Sequence, residues 1–146
     1  MLLPKKQISI PIHDFLNTEF SSLDLDFKLI YKNQTYNFNS TYLASISQSI
    51  RDIFISDPLA FEYDIDIQIK NKMKDIITIL SDMSFQVNNS NYADCFGLAI
   101  KLRSDQLFSF IWNQIKTKLN KKDILKYAVL AYKNRIEIPE SLEICL

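Results

Sequence analysis

The sequence predicts an α+β fold. It calls for a small mixed or mostly antiparallel three-stranded sheet with a short extra strand, about five to six flanking helices, and further C-terminal helices. Three observations point there. Two short alternating apolar runs, Phe27-Leu29-Tyr31 and Tyr36-Phe38, are joined by Lys32-Asn33-Gln34, which reads as a hairpin. Phe61, Tyr63, Ile65, Ile67 and Ile69 then interleave with Glu62, Asp64, Asp66, Gln68 and Lys70, the pattern of a strand with one buried and one wet face. From Tyr92 onward, apolar residues recur three and four apart, first through Cys95, Phe96, Ala99 and Leu102, then through Leu107, Phe110, Ile111, Ile115 and Leu119.

The elements follow in order. Residues 1–22 form an N-terminal arm in which Ile8, Ile10 and Ile12 alternate with polar residues or Pro11, and the proline restricts the run to an edge or an extended segment. Phe15, Leu16 and Phe20 add a short amphipathic turn. The arm cannot bury its apolar side alone, so it must lie on its own domain or on a partner. In the hairpin, Asn33 suits the positive φ that such turns require. Ser40 is the expected cap of a first helix carrying Tyr42, Leu43 and Ile46, and Ser47 that of a second carrying Ile50, Ile53 and Phe54. Asp57-Pro58 breaks the second. Met73, Ile76, Ile77 and Leu80 fall at helical spacing, Phe85 and Val87 make a brief strand, and Asn88 to Asn91 a polar turn. Ser104 caps the helix that begins before Leu107. Asn120 to Asp123 resets the chain ahead of Ile124, Tyr127, Ala128 and Ala131, and Pro139 suits the first turn of a last helix. Stopping at Leu146, the chain reads either as ending in a short natural tail or as part of a longer protein.

Composition removes several function classes. A chain of 146 residues suits one domain with a real core, and 47% hydrophobic with 23% charged residues is ordinary for a globular protein. The formal net charge is zero, so a broad basic face for nucleic acid is not expected, and Lys116, Lys118, Lys121 and Lys122 read as a solvated helix end. Gly97 is the single glycine, too few for a phosphate-cradling loop. Cys95 and Cys145 lack zinc spacing and read as reduced thiols, implying a cytoplasmic location with the nucleus left open. No apolar stretch approaches a membrane span. His13, beside Asp14 and near Ser9, reads as a surface or capping histidine rather than a catalytic one. The carboxylate pairs Asp64/Asp66 and Asp24/Asp26 each share a strand face, but no His or Glu cluster completes an acid–base or metal site. No catalytic residue, cofactor or metal is expected.

The order of hairpin, helix pair, strand, helix, short strand and helix pair resembles the BTB/POZ domain. Asp26, Phe27, Leu29 and Ile30 match that family's opening, and Tyr36 stands ten residues after the Asp, where the family has an aromatic. Leu43, Ala44, Ser47, Ile50 and Phe54 fall on its Leu-Ala-x-x-Ser-x-x-Phe-x-x-x-Phe run, with Ile50 replacing the first Phe. Asn91, Ala99, Leu102 and Leu107 also sit at family positions. The resemblance covers about residues 23–119, and residues 120–146 look like the start of a BACK-like helical extension. Departures mark the chain as a divergent, protist-type relative. Asn39 stands where the family has His, and Ile46 where it has Lys or Arg, so its charged pocket is incomplete and Asp26 is left with a structural role. Ser81-Asp82-Met83 replaces the usual Tyr-Thr-Gly.

The resemblance implies a non-enzymatic protein–protein interaction module, working in one of two modes. In the first, the chain forms a homodimer, or pairs with a related BTB-type protein, about a twofold axis. Ile8, Ile10, Ile12, Phe15, Leu16, Phe20, Tyr42 and Ile46 are the candidate contacts, and the alternative is that they complete the monomer core. In the second mode the chain is a substrate adaptor that binds the cullin scaffold of a ubiquitin ligase. Phe61 and Glu62 are the candidate contacts there, unless they only open the central strand. An enzyme and a nucleic-acid-binding regulator rank behind both.

Overall fold

The computed structural model describes residues 24–140 and 142. Among them, three strands and six α-helices build one mixed sheet with helices against it, sharing a single hydrophobic cluster. Strand β1 (Phe27–Tyr31) lies in the middle of the order β2-β1-β3. It pairs antiparallel with β2 (Gln34–Phe38), Phe27 opposite Phe38 and Tyr31 opposite Gln34. On its other side β3 (Glu62–Asp64) runs parallel, with Leu29 opposite Tyr63. A parallel neighbour needs a crossover. Helices α1 (Ser40–Ile46) and α2 (Gln48–Ser56) supply it.

The hairpin closes over two residues, Lys32 and Asn33, and Lys32 rather than Asn33 takes the positive φ, at 54°. The cap of α1 also differs from expectation by one position. Asn39 is the N-cap, its side-chain oxygen accepting from the Tyr42 amide at 2.9 Å and its Nδ2 donating to the Asp24 carbonyl at 2.8 Å. Ser40 instead binds back to Asp26, whose carboxylate accepts from the Ser40 amide at 2.8 Å and its hydroxyl at 3.0 Å. Ser47 caps α2 as expected, accepting from the Ile50 amide at 3.1 Å.

The alternation from Tyr63 to Lys70 is real in burial but not in hydrogen bonding, and Phe61 ahead of it stays exposed. Ile65 is buried, Tyr63, Ile67 and Ile69 are half-buried, and the intervening residues are exposed. Yet the ladder spans only three residues of β3. The reason lies in β1, which turns away after Tyr31. Its last rung to the neighbour is the Ile65 amide donating to the Ile30 carbonyl at 2.7 Å. At the far end, the buried carboxylate of Asp94 takes over, accepting from the amides of Lys70 at 2.8 Å and Asn71 at 2.9 Å. The extra strand expected at Phe85 and Val87 does not form. The side-chain amide of Gln114 stands in for a neighbouring strand, accepting from the Val87 amide at 2.9 Å and donating to the Phe85 carbonyl at 3.0 Å.

Met73–Leu80 splits into a four-residue α3 (Met73–Ile76) and a 3-10 turn over Ile77–Leu80. Helices α4 (Tyr92–Leu102) and α5 (Asp105–Ile115) form the deepest part of the core, with Phe96, Phe108, Ile111 and Trp112 essentially inaccessible. Helix α5 stops at Ile115, short of Leu119. Helix α6 (Lys121–Lys133), capped by Asn120, stacks Tyr127 on Phe96 with ring centroids 4.3 Å apart. Residues 120–140 and Leu142 thereby join the same core through Ile124, Tyr127, Ala128, Ala131, Ile136 and Leu142.

Candidate functional site

Where the chain leaves α2 and enters β3 it opens a groove of about 570 Å³. Local chemistry makes it. Asp57 ends α2 in an extended conformation, its amide donating to the Ile53 carbonyl at 2.8 Å. Its side chain accepts from the Leu59 amide at 3.0 Å, and the Ala60 amide donates to the Asp57 carbonyl at 3.0 Å. Such an Asx turn satisfies the backbone without any tertiary cover. Leu59 is consequently thrown outward and is 86% exposed. The Phe61 carbonyl then accepts from the Lys28 amide at 2.9 Å, which ties the strand to β1 while the Phe61 ring stays 55% exposed.

Ile53, Leu59, Ala60 and Phe61 are the apolar lining of the groove, and Asp52, Asp57 and Glu62 are its acidic groups. Asp52 is ion-paired with Arg103 at 2.8 Å, between two partly exposed side chains, so the pair is worth little in stability. The remaining lining side chain is Ser56, whose hydroxyl donates to the Asp52 carbonyl at 3.3 Å, and no histidine or cysteine lines the groove. Among the described residues, no group of three or more His, Cys, Asp or Glu side chains is placed to hold a metal ion. What the groove offers is contact area. Apolar side chains held in water beside charged ones are the ordinary make-up of a docking surface.

The sequence-derived contact residues divide three ways. Ile8, Ile10, Ile12, Phe15, Leu16 and Phe20 lie outside the described residues, as does His13. Tyr42 and Ile46 are buried in the chain's own core, and the Tyr42 hydroxyl donates to the Leu80 carbonyl. Burial also raises the Tyr42 pKa. For these two, the core alternative describes the packing seen. Phe61 and Glu62 are exposed and both line the groove, Glu62 also opening β3.

The positions carrying the family resemblance are mostly structural. Leu43, Ala44, Ser47 and Ile50 are buried, and Phe54 meets Phe27 edge-on with centroids 5.5 Å apart. Tyr36 is half-buried on β2, its hydroxyl donating to Gln34 at 2.7 Å. Asp26 clamps the start of α1 through Ser40, and Ile46 fills core volume where the family has a cation. Cys95 is buried, and burial foremost, then nearby Asp94, pushes its thiol from 9.0 up to about 12.

Sequence reading missed Ile53 and Leu59 as groove residues. Leu59 offered a signal, since a large apolar residue directly after Asp57-Pro58 sits where a turn forbids burial. No protein-family model matches the chain, and no curated protein matches it. Among the described residues no helix is long and apolar enough to cross a membrane.

Proposed function

We propose that the chain is a non-enzymatic protein–protein interaction module, BTB/POZ-like in organisation, whose docking surface is the groove between α2 and β3. One observation carries this reading: Leu59 and Phe61 stand exposed over an apolar lining edged by acids, where a local turn rather than missing packing explains the exposure. The adaptor mode gains from the same observation. Phe61 and Glu62, the expected cullin contacts, are accessible together in the groove. Twofold self-association through Tyr42 and Ile46 gains nothing, because both are sealed in the core.

Titrating the purified chain with a cullin scaffold protein, followed by calorimetry, tests the adaptor mode. Binding that Phe61→Ala weakens at least tenfold supports it. Binding indifferent to Phe61→Ala puts the contact elsewhere, and no binding at about 100 μM removes this partner.

A further inference from the structure

We propose that the groove is filled by a second copy of this chain, which presents the outward face of its α6. This rests on reading the groove as a protein-docking site and names its occupant.

Helix α6 turns Ile124, Tyr127, Ala128 and Ala131 into the core. About a third of a turn round from that buried face, Leu125, Val129 and Tyr132 recur at i, i+4 and i+7, so they form one stripe, and Tyr132 is 78% exposed. Lys121 flanks this stripe on one side, and Lys122, Lys126 and Lys133 on the other; all four are exposed. The one acid of the helix, Asp123, is turned toward α4, where it accepts from the Tyr92 hydroxyl at 3.5 Å. The outward face is therefore apolar with positive flanks.

The groove is its chemical counterpart, apolar with Asp57 and Glu62 around it, while Asp52 is already paired with Arg103. A formal net charge of zero hides this segregation of sign. Because α6 packs on α4 through its buried residues, the stripe beside them stays in water and is available to another molecule. Zero net charge also leaves no global repulsion between copies. Two different patches meeting make a heterologous contact, which propagates head to tail into a ring or an open chain instead of closing as a twofold dimer. Its charged edges lie in water, so salt weakens it.

Charge-altering variants read by sedimentation velocity test the proposal. In K122E/K126E the four flanking charges of the α6 face cancel and the groove is intact. In D57N/E62Q the groove loses its sign without gaining a cation, while the amide side chain introduced by D57N keeps an acceptor for the Leu59 amide. All four positions are exposed, and circular dichroism checks folding of each variant. The wild-type chain is expected to grow in mass between about 10 and 300 μM and to lose that growth in about 0.5 M salt. Each variant alone stays monomeric. Their equimolar mixture forms a dimer and stops there, since each variant keeps one working face.

A wild-type chain monomeric throughout overturns the proposal, as does a variant that associates like wild type or a mixture that stays monomeric. If the wild type is monomeric but still binds a cullin scaffold in a Phe61-dependent way, the groove stands and only this occupant falls. Loss of both activities removes the groove reading as well.

Discussion

The two ends of α2 are built in opposite ways. At its N-terminal end three successive residues are tied to a distant part of the chain. The Ser47 hydroxyl donates to the Leu102 carbonyl at 2.5 Å, the Gln48 amide to the Arg103 carbonyl at 3.2 Å, and the Ser49 hydroxyl to the Lys101 carbonyl at 2.8 Å. Arg103, at φ 50°, ends α4 in the left-handed region and spreads its guanidinium to Asp52 and the Asn134 carbonyl. This end is sealed. At the C-terminal end, Asp57 satisfies the backbone within its own turn, so no other element needs to pack there and Leu59 and Phe61 stay in water. Nine residues of helix thus separate a structural junction from an open apolar groove. Where the polar groups find their partners decides which end becomes which.

Breaking the sealed end should cost most. Ile50, fully buried and the only buried residue of α2, should lose about 2–5 kcal/mol when changed to Ala, read as a lower urea midpoint at unchanged slope. Ser47→Ala removes the cap of α2 and leaves the buried Leu102 carbonyl without this donor, a loss of about 1–3 kcal/mol in the same measurement.

A smaller effect concerns pH. Cys95 is raised from 9.0 to about 12, by burial first and then Asp94. Tyr127 is raised from 10.0 to about 12, by burial first and then Tyr92, Asp123 and Asp94. Both groups are neutral when protonated and hold their protons more tightly folded than unfolded. Their contribution is complete below the unfolded values and is lost as pH climbs toward the folded ones. Urea stability should therefore fall from about pH 9 toward about pH 12, and Cys95→Ala should flatten that slope whatever it does to the absolute value.

At the open end, Leu59→Ser and Phe61→Ser should move stability by no more than about 0.5 kcal/mol while abolishing partner capture. A larger destabilisation would mean that these side chains support the fold, and the contrast between the two ends would dissolve.

The mixed sheet and the helix order were legible because period-two and period-3.6 patterns survive in short windows. Ser47 and Ser104 were readable as caps for the same reason, a serine three residues ahead of an apolar run. Less legible was anything resting on a partner distant in sequence. Gln114 replacing a strand beside Phe85 and Val87, and Asp94 holding the amides of Lys70 and Asn71, join residues more than 20 positions apart. Phe61 shows the limit inside a correct pattern: the alternation places it on the buried face, and the structure leaves it in water.

Composition and spacing alone determined that this chain folds as α+β, lacks a phosphate-cradling glycine loop, and carries a hairpin feeding two abutting helices. Burial of apolar side chains and local capping act over a few residues, so the chain's order records them. Only the tertiary structure decided that Tyr42 and Ile46 are core, that β3 stops after three residues, and that Leu59 and Phe61 share one groove. Those outcomes depend on where β1 turns and on which face α2 shows to α4. That is a matter of packing between elements, which no local pattern encodes.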